Sequence, residues 1–489
     1  MPIVAGVDSS TQSCTVELRD AECGELLARG RYPHPPTYPP ASEQWPGDWW
    51  VAFKGALDDA LRAAHRRAVE IDAISVAAQC HGLVAMDARG EVIRPVKLWN
   101  DTTSAPQASA LVDRLGVEWW VRTVGSVPTA AFTITKLAWM ADHEPQLLHG
   151  VRAVCVPHDW LTYKLTGRHV TDRSDASGTG YFSVKGAWLE ELLSELISPD
   201  IEWADALPQV LGPSEAAGTV HPRIAAELGL RSDVIVGPGA GDQHAGAVGL
   251  GLAEGEVLYS LGTSGVVITV SRKPVADLSG MVNSVADATG GFLPLVCTLN
   301  ATKVTDTFTR LLGVNHDELA AMALAAPMDR NRPVLAAYLD GERSPNRPLA
   351  HGMLGNLTNE TTREQLALAA FEGVLLGLLR GHEAIRDSGA RADGRVIVAG
   401  GGAKSPAYRQ ILADLLGQSV QVLDAPEATA RGACVQAAAV LANRDITSVR
   451  NEWQPAVLHT CEPRAGSSFD VRAQYQTLSE VRELDDSEQ

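Results

Sequence analysis

"PIVAGVDSSTQSCTVELRD", residues 2–20, runs from Val, Ile and Ala into an acid, then a cluster of hydroxyl and amide residues, then a second apolar-polar run. This reads as strand, tight turn, strand. The same order returns at residues 256–272, where "EVLYSLG" is a strand, "TSG" a polar turn and "VVITVSR" a strand. Each half later reaches a buried strand that stops at polar residues or glycines: "IDAISVAA" before "QCHG" (79–82), and "GRVIVA" before "GGGAKS" (400–405). Helical periodicity fills the intervals. It occurs in "WWVAFKGALDDALRAAHRRA", with Asp48 as the expected N-cap, in "TTREQLALAAFEGVLLGLLRGHEAIRDSG", in "PAYRQILADLLG" and in the small-residue "EATARGACVQAAAVLA". The pattern predicts an α/β protein of two lobes on one plan, leaving a cleft for a ligand.

Bulk properties agree. A chain of 489 residues exceeds what a single core organises. Its 45% hydrophobic and 20% charged content is that of an ordinary globular protein. The net charge of -18 argues against nucleic acid as a partner, because phosphate backbones repel such a surface. Seven scattered cysteines without a C-x-x-C pair argue against a disulfide framework and a thiolate zinc site, and fit a reducing cytoplasm. No signal segment and no membrane-spanning apolar run are expected. Patterning weakens after about residue 445, and "ELDDSEQ" at the end reads as a frayed acidic tail. Oligomeric state is not fixed by these features; a homodimer stays open.

Several short stretches can carry chemistry. In "GVDSSTQS", Asp8 ends a strand and Ser10, Thr11 and Gln12 form a turn whose N–H groups and hydroxyls suit an anion, with the acid beside it suited to a hydrated divalent metal. Gly262 and Thr263 offer the same kind of turn in the second half. Each is equally an ordinary β-turn when read alone. "GGGAKS" fits neither a P-loop, since Ala403 and Val398 stand where glycines are required, nor the G-x-G-x-x-G fingerprint, since Ser405 replaces its third glycine. What remains, Gly400–Ala403, is a bare shelf for a base or ribose, or a site of close strand–helix packing. His81 in "QCHG" reads as a donor to a sugar hydroxyl or as a structural imidazole. Trp99, Asn100 and Asp101 in "LWND" offer an apolar face plus paired donors and acceptors, suited to a polyol or to a strand end. In "GPGAGDQHAGAVG" (237–249), Asp242 is either a helix cap or a carboxylate able to take a proton from an attacking alcohol, its basicity lowered by the helix N-terminus. Five glycines in that stretch suggest that a backbone or substrate comes very near.

Together, in the order "GVDSST", "QCHG", "LWND", "GAGDQHAGAVG", "SLGTSG", "GERSPN" (341–346) and "GGGAKS", these stretches resemble the FGGY family of carbohydrate kinases, most closely its xylulokinases, from about residue 3 to 442. The resemblance implies two actin-like (ribonuclease H-like) lobes around a central cleft. The expected domains are a sugar-binding lobe at 1–250, a nucleotide-binding lobe at 251–445 and a C-terminal extension at 446–489. It also implies ATP-dependent, Mg2+-assisted phosphorylation of D-xylulose on its 5-hydroxyl. Asp242 becomes the general base, and Asp8 and Asp242 the acids beside the magnesium. Ser10, Thr11, Gln12, Gly262 and Thr263 would surround the phosphates, and Gly401, Gly402 and Ala403 would lie under the adenosine. Cys80, His81, Trp99, Asn100 and Asp101 would line the sugar. Three positions depart from the family pattern. Ser10 replaces the glycine of D-x-G-T, Cys80 replaces a methionine, and "WNDTT" lacks the G-R that often follows W-N-D. Other acceptors (ribulose, another ketose, glycerol) and a non-catalytic actin-like ATP switch stay open. The absence of the Arg-Glu pair of glycerol kinases counts against glycerol, and the broken glycine fingerprint counts against a nicotinamide-dependent dehydrogenase.

Overall fold

The computed structural model describes residues 1–464 and 471–481; the stretch "ELDDSEQ" (483–489) lies outside the described residues. By internal contacts the chain divides into two units. Residues 1–251, 284–293 and 427–455 form the first, and residues 252–283, 294–426 and 456 onward the second. The sequence reading draws single boundaries at 250/251 and 445/446. The contacts instead return residues 427–455 to the first unit, because the small-residue helix there packs on the first sheet.

That sheet comprises β1 (Ile3–Ser9), β2 (Ser13–Asp20), β3 (Leu26–Pro33), β4 (Ile71–Ala78), β5 (Gly218–Thr219), β6 (Ile235–Val236) and β7 (Ala240–Gly241). Its order is β5-β6-β4-β1-β2-β3, with β7 also paired to β4. β1 and β2 form the expected antiparallel hairpin, whereas β1, β6 and β7 each run parallel to β4. Asp8 on β1 and Ala240 on β7 both stand opposite Ala77 on β4. The C-terminal ends of these three strands therefore stop at one level, where open α/β sheets bind their ligands.

The helices that shape this end are α1 (Pro46–Ala64), α2 (Pro157–Thr166), α3 (Arg173–Ala176), α4 (Asp242–Gly249) and α5 (Ala428–Leu441). Successive strand residues face opposite ways. Ile3, Ala5 and Val7 join Trp49 and Phe53 of α1 and Trp160 of α2 in one buried cluster. Val4 joins Ala73, Val248 and Ala433 in another. Gly6 shares the face of Val4, and a Cβ there would stand 2.1 Å from the Ala430 carbonyl oxygen. Asp8 comes next on that face. Asp48 is not the cap of α1: the helix starts at Pro46 with Trp45 in the cap position, and Asp48 sits within the first turn. A proline pre-set to helical φ at the first position explains the earlier start.

α5 is small-sided because α4 crosses it backbone to backbone. A Cβ on Gly432 would lie 1.8 Å from the Ala245 carbonyl oxygen, and one on Gly249 would lie 1.8 Å from that of Ala428. The buried amide of Gln436 on α5 also pairs with both backbone groups of Gly239, donating to its oxygen and accepting from its N–H at 3.0 Å each. Helix α5 thus holds the strand that leads into Asp242.

The second sheet repeats the plan with β8 (Val257–Leu261), β9 (Gly265–Thr269), β10 (Asn283–Ala286), β11 (Phe292–Thr298), β12 (Val396–Ala399), β13 (Val420–Leu423) and β14 (Val457–Cys461). Its order is β10-β11-β9-β8-β12-β13-β14. β8 and β9 form the antiparallel hairpin and β12 runs parallel to β8, with Ser260 opposite Ala399. The long helix, Arg363–Asp387, begins with a capping box between Thr362 and Gln365. Among the described residues no helix is long and apolar enough to cross a membrane.

Replacing Gly432 with alanine is expected to lower stability by about 3 kcal/mol, since both backbones at the crossing must separate. Thermal unfolding checks this; an unchanged melting temperature would contradict the close crossing.

Candidate functional site

In the first unit the parallel register gathers Asp8, Cys80, His81 and Asp242 at the ends of β1, β4 and β7. Asp8 is 9% exposed, and Ser10 Oγ–H donates to its Oδ1 at 2.6 Å. Burial pushes its carboxyl up to about 7; Asp242 and Glu427 add repulsion, while Ser10 and Arg31 pull the other way. Asp242 is the first residue of α4, not its cap: Gly241 holds the cap position. The Asp242 Oδ1 accepts from the Gln243 N–H at 2.7 Å and from the Cys80 thiol at 3.3 Å. Burial raises the Asp242 carboxyl above its ordinary value despite both bonds. The sequence reading expected the helix N-terminus to lower its basicity; desolvation outweighs that contribution. Burial also raises the Cys80 thiol well above its usual range, so it stays protonated and donates.

The glycines before Asp242 make room for the protein's own side chains. A Cβ on Gly239 would stand 2.5 Å from His158 Nδ1, and one on Gly241 would stand 2.5 Å from Cys80 Sγ and 2.7 Å from His244 Nδ1. His244 is buried, its Nε2 has no hydrogen-bond partner, and burial lowers its pKa, which keeps the ring neutral.

The "LWND" stretch meets the first turn through Trp99, whose Nε1–H donates to Thr11 Oγ1 at 2.9 Å. Asn100 keeps a buried Oδ1 without a hydrogen-bond partner. Asp101 is fully buried and its carboxylate accepts from the Ser42 N–H (2.9 Å), the Thr103 N–H (3.0 Å) and Lys97 Nζ (3.4 Å). That carboxylate holds its own loop together. Gln12 is exposed, and its carbonyl accepts from the His34 N–H at 2.8 Å.

In the second unit Gly262 and Thr263 form the β8–β9 turn; their carbonyls accept from the Thr302 N–H (3.1 Å) and the Ala301 N–H (3.2 Å), and Thr263 is exposed. The shelf divides in two. A Cβ on Gly400 would stand 2.6 Å from the Leu261 carbonyl oxygen, and one on Gly402 would stand 2.7 Å from Leu261 Cβ, so those two glycines serve close packing. Gly401 is exposed with open space where a Cβ would point, whereas Ala403 is buried.

The sequence reading missed a buried charged cluster behind His81. Asp175 on α3 is fully buried, and its Oδ1 lies 3.2 Å from the His81 backbone nitrogen, from which it accepts, and 3.3 Å from His81 Nδ1. His158 on α2 is also fully buried, with its Nε2 3.3 Å from both Asp159 Oδ1 and Asp172 Oδ1 and 3.9 Å from Asp175 Oδ2. Burial pushes His158 down, but those three carboxylates outweigh it and lift it to about 9. The signal was present in "VPHDW" (156–160) and "SDASG" (174–178), each placing charged residues at a helix start.

Comparisons with known proteins place the chain in a family. Residues 3–249 match the N-terminal domain, and residues 257–441 the C-terminal domain, of the FGGY family of carbohydrate kinases. The xylulose kinase of Streptomyces rubiginosus is 42% identical over 458 residues, covering 93% of this chain and 91% of that protein. The xylulose kinase of Haemophilus influenzae is 33% identical over 442 residues, covering 88% and 89% respectively. The crystal structure of xylulose kinase from Bifidobacterium adolescentis superposes with a TM-score of 0.87 at 38% identity, covering 97% of this chain and 99% of that one.

The Asp8 carboxyl has its pKa raised from an unfolded value of about 3.9, so its ionisation costs stability progressively as pH rises from about 4 to about 7. Asp8→Asn removes that cost. The variant's melting temperature is expected to exceed that of the unliganded parent at pH 8 and to converge with it near pH 4.5. A difference independent of pH would contradict the assignment.

Proposed function

Because the chain belongs to the FGGY family of carbohydrate kinases, with the family's α/β fold of two actin-like (ribonuclease H-like) lobes, we propose that it transfers the terminal phosphoryl group of ATP to the 5-hydroxyl of D-xylulose. The observation that carries this reading is the meeting of Asp8, Asp242, Cys80 and His81 at the ends of three parallel strands. Two relatives that each cover more than four-fifths of the chain are named xylulose kinase, which supports the choice of sugar.

Asp242 takes the proton of the attacking hydroxyl. Its buried, raised carboxyl is a stronger acceptor than an exposed aspartate, and the Cys80 and Gln243 hydrogen bonds hold it in one orientation. Cys80 and His81 line the sugar, with Trp99 and Asn100 beside them; the committed bonds of Asp101 give it the task of shaping that loop. Ser10, Thr11 and Gln12 accompany the phosphates. The open face of Gly401, backed by Gly402 and Ala403, serves the adenosine.

Magnesium fits the hard oxygen donors of Asp8 and Asp242, which repel one another without a cation. These two carboxylates would hold it. The soft trio of Cys80, His81 and Asp175, whose ligand atoms lie within 4.8 Å of one another, is not a magnesium set. When bound, the ion neutralises phosphate charge during transfer. The scattered cysteines support a cytoplasmic location.

Asp242→Asn is expected to lower kcat with D-xylulose by about a thousandfold while nucleotide binding persists. In a panel of ketoses and polyols, D-xylulose is expected to give the highest kcat/KM and a 5-phosphate product by NMR. Near-normal turnover by the variant would contradict the base assignment, and a higher kcat/KM for ribulose or glycerol would contradict the acceptor.

A further inference from the structure

We propose that Asp175 is a positioning residue that fixes the tautomer and orientation of His81, so that the His81 ring accepts, rather than donates, a hydrogen bond at the sugar. This rests on the reading above that His81 faces the sugar. The backbone of His81 adopts a left-handed φ of 65°, a conformation that costs a non-glycine residue energy and persists only when its surroundings enforce it.

The enforcing contacts are on every side. The Asp175 Oδ1 accepts from the His81 N–H, Thr133 Oγ1–H donates to the His81 carbonyl at 3.1 Å, and the Phe132 ring stacks on the imidazole with centroids 5.5 Å apart and planes 11° apart. Behind the ring lies Gly178, where a Cβ would stand 1.9 Å from His81 Cε1. The ring therefore has one place to lie, and in that place Nδ1 meets the Asp175 carboxylate at 3.3 Å.

A carboxylate only accepts. Nδ1 is buried and completes no hydrogen bond, yet a lone pair there would stand beside the negative charge of that carboxylate; of the two neutral tautomers, Asp175 therefore favours the one protonated on Nδ1, which presents a lone pair at Nε2. The sugar hydroxyl opposite must then donate. Of the two readings its sequence context allows, sugar donor or structural imidazole, the first is reversed in sense by a residue almost a hundred positions away in the chain. Asp175 is itself held. Its Oδ2, buried and without a hydrogen-bond partner, lies 3.9 Å from the His158 ring, and the carboxylate of Asp172 caps α3 by accepting from the Ser174 and Asp175 N–H groups at 2.7 and 3.1 Å.

The test is a double-mutant cycle read with D-xylulose and with ATP, together with 15N NMR of the histidine rings. Asp175→Asn is expected to lower kcat/KM for the sugar by about tenfold to a hundredfold. KM for ATP should stay unchanged. Combined with His81→Ala, Asp175→Asn is expected to add no further loss, because the residue through which it acts is gone. In the unsubstituted enzyme the His81 resonance, identified by its absence from His81→Ala, is expected to be protonated on Nδ1. Multiplying losses in the cycle, or a proton on Nε2, would overturn the proposal. The NMR arm needs no folded Asp175 variant. If His81→Ala alone leaves sugar kinetics intact, the sugar-facing reading of His81 fails instead, and the two failures are distinguished.

Discussion

The common stopping level of β1, β4 and β7 is the constraint on which the site depends. Backbone hydrogen bonding sets Asp8 and Ala240 opposite the same residue, Ala77, so the residues at and just after the three strand ends come together. β1 carries Asp8 one residue before its end, the chain after β4 continues to Cys80 and His81, and β7 turns into α4 at Asp242. A one-residue slip of β1 would turn Asp8 to the opposite face of the sheet. Gly6, Gly249, Gly432 and the Gln436 amide exist to maintain that register from the other side, where any added Cβ or lost hydrogen bond would move α4 and Asp242 with it.

Electrostatically the site divides into two zones. Asp8 and Asp242 are acids whose carboxyls burial raises, with Asp242 adding repulsion at Asp8, a pair that suits a cation. Behind His81, the ring of His158 is lifted to about 9 by Asp159, Asp172 and Asp175, which favours its positive form. The first zone gains from a cation, whereas the second already holds a basic group among its acids. This division matches the demands of phosphoryl transfer, in which the phosphate charge changes and the sugar must only be held in place.

Much of this was legible in the sequence, for physical reasons. Both hairpins and the strands after them announce themselves by apolar runs ending in polar turns, and the duplicated plan follows from their recurrence. Asp8 and Asp242 stand out because each is an acid at the close of an apolar run, Asp8 within the end of β1 and Asp242 directly after β7. Asp175 and His158 do not, because their importance lies in contacts with residues distant in the chain. The glycines before Asp242 signalled a close approach, but a sequence cannot say whether the approaching group is a substrate or, as here, the side chains of His158, Cys80 and His244. The edge strand β14 escaped notice because most of its residues are exposed and it lacks the alternation of a half-buried strand. Residues 427–455 returned to the first unit for a reason visible only in three dimensions, the fit of a bare helix against Gly6 and Gly249.

The most direct test is a crystal structure with D-xylulose, magnesium and a non-hydrolysable ATP analogue. The account predicts the sugar's terminal hydroxyl within about 3 Å of the Asp242 carboxylate, with Asp8 beside the last phosphate and its metal. A hydroxyl aimed at another residue, or an Asp8 carboxylate remote from the phosphate, would contradict it.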